Sequence, residues 1–194
     1  MTATDGATRP STDALSAMLS RASALTLKAP GPTAADLRTI LTAATRAPDH
    51  GKLQPWRFVI IEGDARDRFG DVMAETLKRR QPEVSESELK REREKAFRAP
   101  TIVAAVAKIV DCKIPPIEQE YAVAAAVQNA ILAAHALGYG TMWKSGAPAY
   151  DDAVKAFLGF EPRDAVVGFI YVGTTDAAPK TYRATMYDEV VSRV

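Results

Sequence analysis

Hydrophobic and polar residues follow two characteristic spacings along this chain, and each spacing predicts a different element. Apolar residues three and four positions apart mark one face of a helix, whereas short apolar runs mark buried strands. Helical spacing predicts six helices, over residues 13–21, 33–46, 64–80, 85–95, 118–137 and 151–158. Short apolar runs predict four strands, over residues 57–62, 101–110, 141–145 and 165–172.

The order of these elements places helices around a small sheet, which indicates a single α+β domain. The chain contains no internal repeat and no linker that would divide it. We expect a disordered N-terminal tail over residues 1–12, the domain over residues 13–175, and a C-terminal arm over residues 176–194. The arm ends in apolar residues without a local partner, Val190, Val191 and Val194.

Composition disfavours several classes of function. The 194 residues and the 47% apolar content suit one globular domain with a sizeable core. A net charge of +1 argues against a nucleic-acid partner, and a single cysteine with two histidines disfavours a structural metal centre. No apolar run approaches the roughly 20 residues that span a bilayer and no secretory signal is evident, so we expect no membrane contact and a cytoplasmic location. No Gly-x-Gly-x-x-Gly or Walker A sequence supports a Rossmann or P-loop site.

One connector, between the second helix and the first strand, is unusually rich in hydrogen-bond donors. It reads Arg46-Ala-Pro-Asp-His-Gly-Lys-Leu-Gln-Pro-Trp-Arg-Phe58, and its prolines restrict φ near both ends. A stiff loop of this kind suits a flat, anionic cofactor. The alternatives are that Arg46 only interacts with the last carbonyls of its helix and that His50 is a solvated loop residue. Trp56 is expected to pack in the core and hold the loop.

A second cluster, Ser20-Arg21-Ala22-Ser23, combines a cation with hydroxyl groups. Arg21 supplies a fork of donors, and in extended backbone Ser23 points the same way, so both side chains can reach one phosphate. The alternative is an arginine that interacts with the carbonyls at a helix C-terminus.

A third cluster lies in the glycine-rich stretch from Gly138 to Gly146. Its glycines allow the backbone to approach a ligand closely, and Trp143, Lys144 and Ser145 follow one another there. The alternative is a glycine-rich connection that carries an exposed lysine. The sequence does not show whether the three clusters meet around one ligand.

Three other features carry weaker functional hypotheses. The charged segment over residues 83–95 is interpreted as a solvated helix face, with a lid over a substrate site as the alternative. Cys112 is interpreted as an incidental loop thiol, because no nucleophile–base motif surrounds it. His135 is interpreted as a hydrogen-bonded core histidine.

Together these motifs resemble the FMN-dependent nitroreductase family. The pattern Ala-Pro-x-His-x-x-x-Gln-Pro-Trp-x-Phe, with Ser-Arg-Ala-Ser upstream, is most similar to a short bacterial branch of NAD(P)H nitroreductases. The resemblance covers about residues 13–175. The chain departs from the wider family where Asp49 and His50 replace small hydroxyl residues, where no Asn precedes Gln54, and where Lys144 replaces an Arg of close relatives.

The resemblance implies an α/β/α sandwich with a central mixed, mainly antiparallel sheet, and a homodimer with two FMN sites at its interface. It assigns FMN binding to three elements, comprising Arg21, Ala22 and Ser23; Arg46 and His50; and Trp143, Lys144 and Ser145. In this family the loop that contains His50 commonly serves the neighbouring subunit's cofactor. The C-terminal arm is expected to contact the other subunit.

The same resemblance implies a ping-pong oxidoreductase. NADPH or NADH would give a hydride to FMN, and a small-molecule electron acceptor such as a nitroaromatic or a quinone would then be reduced. No residue is predicted to be catalytic, since the flavin carries the hard chemistry. Two alternatives remain: a flavin-binding, sensing or flavin-processing protein without NAD(P)H turnover, and a cofactor-free interaction protein that uses the charged segment over residues 83–95.

Overall fold

A four-stranded antiparallel sheet forms the centre of the fold, in a computed structural model that describes residues 13–176 and 187–194. In chain order the strands are β1 (Trp56–Ile61), β2 (Thr101–Ala107), β3 (Gly140–Lys144) and β4 (Ala165–Gly173). They lie in the order β1-β2-β4-β3, and each neighbouring pair is antiparallel. One isolated bridge, between Ser23 and Thr141, is parallel and lies at the outer edge of β3.

Seven helices are present in the described residues. They are α1 (Ala14–Ser20), α2 (Ala34–Ala44), α3 (Asp64–Arg80), α4 (Glu86–Glu94), α5 (Pro116–Ala136), α6 (Asp152–Phe157) and α7 (Tyr187–Val190). Short 3-10 turns occupy His50–Lys52, Lys95–Phe97 and Ala147–Tyr150. Local sequence explains several starts: Thr33 caps α2 by accepting the Asp36 N–H, and Ser85 forms a reciprocal capping box with Glu88.

The sheet separates two hydrophobic cores. Alternate residues of a strand point to opposite faces, so Ile170 and Val172 of β4 pack with α2 and α5, whereas Phe169 and Tyr171 pack towards α3 and α6. All seven residues of β2 are buried, which explains its continuous apolar sequence. The fold therefore has three layers, with the sheet in the middle and helices on both of its faces.

Helix α5 is less buried than its sequence predicts. Its apolar composition predicts burial on nearly every side, and one face does pack on the sheet through residues such as Val123 and Val127. Ile117, Tyr121 and Gln128, however, are exposed on another face. The prediction of burial is thus wrong for a single chain, because no element of the described chain covers that face.

The α+β prediction is confirmed, and the main differences lie at element ends. The second strand ends at Ala107 rather than at residue 110, because the backbone N–H of Ile109 turns to donate to the Asp164 carboxylate at 3.0 Å. Helix α5 begins at Pro116, since proline lacks the N–H that a first helical turn leaves unpaired. The predicted N-terminal tail and residues 177–186 of the predicted arm lie outside the described residues. Throughout the described ranges, every helix is too short or too polar to cross a lipid bilayer.

Candidate functional site

The segment that contains Arg21 runs along the outer edge of strand β3. Arg21 ends α1 in an extended conformation, with φ −61° and ψ 130°. Ser23 then bridges Thr141, and the Ala24 N–H donates to the Thr141 carbonyl at 2.8 Å. This pairing fixes Arg21, Ala22 and Ser23 beside the edge strand, as a phosphate-binding segment would require.

The Arg21 charge is not balanced by a carboxylate within the described part of the chain. Its neighbour Ser20 places its Oγ 2.9 Å from Nε2 of His135, in the last turn of α5. The pKa of His135 is lowered, first by burial and then by the positive charge of Arg21. Arg21 therefore lies near the C-terminal end of α5 as an unpaired cation, which is an arrangement that an anion would stabilise.

The loop that follows α2 is held in a strained shape by its own residues. Lys52 and Gln54 have positive φ, at 55° and 50°, in a region that side-chain-bearing residues rarely adopt. The Asp49 carboxylate accepts the Gln54 N–H at 2.6 Å and closes the loop. At Gly51, where φ is 73°, an added Cβ would lie 2.3 Å from Cδ1 of Ile114, so a residue with a side chain would be strained there. Such strain is typical of ligand-binding loops.

This loop is also attached to the start of α5. His50 Nδ1 lies 2.5 Å from Oε2 of Glu118, which belongs to the first turn of the helix. The His50 side chain is nevertheless 65% exposed. Arg46 is exposed as well, just beyond Ala43, whose carbonyl accepts a bond from the Asn129 amide at 3.4 Å. His50 and Arg46 therefore present polar groups to solvent from a fixed position.

The structure does not bring Arg21 and His50 together within one chain. Arg21 lies beside His135, and His50 lies beside Glu118. Seventeen positions of α5 separate those two anchors, which at about 1.5 Å per residue is about 26 Å. A single phosphate cannot contact both groups in one copy of the chain.

Trp143 and Lys144 point to opposite faces of the sheet. Trp143 pairs with Ile170 on the α5 face, and its indole covers Gly168, where an added Cβ would lie 2.2 Å from Nε1. Lys144 pairs with Phe169 and faces α3 instead. Sequence adjacency alone suggested that these side chains act together, but the period of a strand separates them.

Lys144 opens onto a cavity of about 560 Å³, which we call the cationic cavity because Arg80, Lys95, Arg98 and Lys144 line it. Ser145 and Gly146 lie at its rim. Among the described residues, no carboxylate forms a salt bridge with Lys144.

Sequence reasoning missed several residues of this region. Glu118 belongs to no recognisable motif, and its contact with His50 depends on pairing between distant segments. Ser20 and Asp49 lie within the motifs named above, but their contacts with His135 and with the Gln54 N–H were not predicted. Lys95 was interpreted as part of the solvated charged segment over residues 83–95, and Arg98 was not singled out, yet both line the cationic cavity.

The charged segment is also tied to the fold by α4, because Arg93 binds Asp71 of α3. Cys112 is exposed, with only a 3.8 Å contact from Sγ to the Ile114 carbonyl. Over the residues that the structure describes, no three His, Cys, Asp or Glu side chains cluster as metal ligands would.

The fold and the candidate site together define a class of protein. It is an α+β domain in which two cations, Arg21 beside the edge strand β3 and Lys144 at the end of it, have no carboxylate partner among the described residues. A polar, strained loop lies at the far end of the central helix. Such a domain is suited to bind an anionic ligand through backbone, hydroxyl and cationic groups.

Sequence comparison gives the family. The model of the nitroreductase family matches residues 18–174. The chain is 38% identical over 170 residues to the Escherichia coli (strain K12) protein named "Putative NAD(P)H nitroreductase YdjA", covering 87% of this chain and 92% of that one. It is 33% identical over 164 residues to the "Putative NAD(P)H nitroreductase" of Haemophilus influenzae, covering 84% and 88%. The chain belongs to the nitroreductase family.

Solved structures share the fold. A nitroreductase-like family protein from Bacillus cereus superposes with a TM-score of 0.81 at 23% identity, covering 94% of this chain and 96% of that one. A nitroreductase with bound FMN from Bacteroides fragilis gives a TM-score of 0.70 at 21% identity, covering 94% and 100%. These likenesses confirm the predicted nitroreductase-like sandwich.

Proposed function

We propose that this chain is an FMN-dependent NAD(P)H oxidoreductase. The observation that carries the proposal is the placement of Arg21 and Ser23 along β3, next to the Ser20–His135 contact, where Arg21 forms no salt bridge with any described carboxylate. Family membership and the names of the bacterial relatives support the same activity.

The residues present fit FMN. Arg21 and Ser23 offer a cation and a hydroxyl for the phosphate, and the Ala22 backbone lies between them. Ser145 is exposed, and Gly146 has open space where a side chain would be. A flat ring system can therefore approach this part of the chain closely.

The cofactor-binding elements of one chain would contact two different FMN molecules. One cofactor would be bound by Arg21, Ala22 and Ser23 together with the segment of Trp143, Lys144 and Ser145, which would contribute backbone groups and the side chains of one face of the sheet. Arg46 and His50 would reach the cofactor of a second copy. The separation of about 26 Å along α5 supports this division. The exposed face of α5, with Ile117 and Tyr121, is a suitable surface for a homodimer.

A bound FMN would supply the redox chemistry, which is hydride uptake from NADPH or NADH and electron transfer to a second substrate such as a nitroaromatic or a quinone. The chain itself contributes placement and charge. Arg21 and Lys144 would attract the negative charge of the bound cofactor. The loop that is closed by the hydrogen bond between Asp49 and the Gln54 N–H would position Arg46 and His50, and Trp143 would cover the sheet beneath. Because the cofactor would supply the redox chemistry and the protein would supply placement and charge, the reaction does not require the acid–base pair that the sequence lacks.

The test is the visible spectrum of the protein after FMN loading and desalting, before and after anaerobic addition of NADPH and then NADH. A bound flavin spectrum that bleaches supports the proposal. A flavin that stays oxidised with both reductants would favour a binding or sensing protein. A colourless protein would contradict the assignment of FMN.

A further inference from the structure

Most of the charged residues that line the cationic cavity are positively charged. Four basic residues, Arg80, Lys95, Arg98 and Lys144, line it against a single carboxylate, Glu92. Glu92 is already paired, with Oε2 2.5 Å from Nζ of Lys95. Within residues 13–176 and 187–194, the other three cations form no salt bridge. Three positive charges therefore face one space without a matching negative charge from the described chain.

These cations also repel one another. The pKa of Lys144 is lowered, first by burial and then by the charges of Arg98 and Lys95. Holding like charges together costs free energy, which an anion between them would offset. Lys144 Nζ lies 5.9 Å from the ring centroid of Tyr171, and this cation–π contact holds it over the cavity.

Apolar and aromatic side chains also line the cavity. Met73, Phe169 and Tyr171 are 2%, 3% and 4% exposed, and all three line it. Burial raises the pKa of Tyr171 to about 12, so its hydroxyl keeps its proton and remains a donor. Aromatic and cationic side chains that line one cavity suit a flat ring that carries a negative charge.

The cavity adjoins the proposed cofactor site. Ser145 and Gly146 line it, and both follow Lys144 in the segment that we assign to FMN. A ligand in the cavity would therefore lie next to the flavin rather than at a remote surface.

We propose that the cationic cavity binds the anionic group of the electron acceptor. The enzyme then prefers flat aromatic acceptors that carry a carboxylate over neutral acceptors of the same shape. This inference rests on the proposed function, because the acceptor has to receive electrons from the adjoining cofactor.

The test removes charge from the cavity without touching the residues assigned to FMN. In the cavity variant, Arg80→Gln is combined with Arg98→Gln. In the control variant, Lys78→Gln is combined with Arg91→Gln, which removes the same charge from exposed positions of α3 and α4 outside the cavity. FMN content and the rate of flavin reduction by NADPH are measured first for both.

Selectivity is then measured as kcat/KM for 4-nitrobenzoate divided by kcat/KM for its neutral methyl ester. Each NADPH supplies a hydride and solvent supplies a proton, so the nitro group becomes a nitroso group and one water is released. The ratio is expected to fall by about tenfold in the cavity variant, since two exposed charges are lost. It should stay at the wild-type value in the control variant.

Benzoate, which is not reduced, gives a second measurement by calorimetric titration of the FMN-loaded protein. We expect benzoate to bind wild type more tightly than the cavity variant, and the difference to shrink at high salt. An unchanged selectivity ratio, or an equal fall in the control variant, would overturn the inference.

Two other outcomes would also overturn it. Loss of FMN from the cavity variant would assign the cavity to the cofactor, and slower reduction by NADPH but not NADH would assign it to the reductant's extra phosphate. A wild-type protein that takes up no FMN would contradict the proposed function itself, and benzoate titration of that protein would still test the cavity.

Discussion

Glu118 and His135 lie about 26 Å apart along α5, and each contacts a different candidate cofactor-binding element. Glu118 Oε2 is 2.5 Å from the His50 ring, and His135 Nε2 is 2.9 Å from Ser20 Oγ, beside Arg21. The helix therefore separates the two elements within one chain. A cofactor that contacts both has to lie between two copies of the chain.

Arg21→Ala should weaken FMN binding by about tenfold or more, because a hydrogen bond to a charged group contributes about 1.5–3 kcal/mol. The measurement is a titration of the apoprotein followed by flavin fluorescence. Arg68→Ala, which removes an exposed arginine from α3, is the matched control. Equal affinity of wild type and Arg21→Ala would exclude the phosphate role.

Protein stability should fall in mild acid because of His135. The pKa of its ring lies below the ordinary value of 6.5, first through burial and then through Arg21, so the unfolded chain takes up this proton at a higher pH than the folded chain. The stability from the neutral ring is complete above about pH 6.5 and is lost as the pH falls below it. Urea unfolding of His135→Asn should show a smaller loss between about pH 7 and about pH 5.

Bound FMN should raise the pKa of His135. A phosphate at Arg21 would offset the positive charge that lowers the pKa. The chain has two histidines, so the imidazole signal that is lost in His135→Asn identifies His135 in an NMR titration of wild type with and without FMN. A pKa that FMN leaves unchanged would place the phosphate elsewhere.

Asp49→Ala should loosen the loop that carries His50. The change removes the acceptor of the Gln54 N–H, at a residue whose positive φ is already unfavourable. We expect the free energy of unfolding to fall by about 1 kcal/mol and FMN to bind less tightly. Asp49→Asn keeps an acceptor oxygen and should fall between wild type and Asp49→Ala, whereas identical behaviour of all three proteins would contradict the role of Asp49.

The C-terminal arm should contribute to the dimer. Its last residues form the short helix α7 and leave Val190, Val191 and Val194 exposed. Removing residues 182–194 should shift sedimentation profiles towards the monomer on dilution, and Val190→Ser should shift them less. A truncated chain that stays dimeric at the same concentrations as wild type would exclude the arm from the interface.

Much of the fold could be predicted because local signals agree with the tertiary structure. The capping residues Thr33 and Ser85 fix two helix starts, and the apolar run over residues 101–107 is a central strand. The exposed face of α5 could not be predicted, since an apolar helix pattern does not tell burial within a chain from burial against another copy.

The site was less predictable for a geometric reason. Motifs singled out Arg21, His50 and Lys144 as candidate cofactor-binding residues, but sequence does not give the distances between them. The contacts of Ser20 with His135 and of His50 with Glu118 join residues 115 and 68 positions apart. Contacts between such distant positions leave no spacing that a single sequence could display.

The most direct test of the central claim uses mixed dimers. One chain carries Arg21→Ala, the other carries Arg46→Ala with His50→Ala, and different affinity tags allow the mixed dimer to be isolated. If each FMN takes Arg21 from one chain and the loop from the other, one site of the mixed dimer carries every substitution and the other is intact. The account predicts one tightly bound FMN per mixed dimer, with the tight affinity lost in both parent dimers. A mixed dimer in which both sites are weakened would show that Arg21 and the loop serve the same site within one chain, and would contradict it.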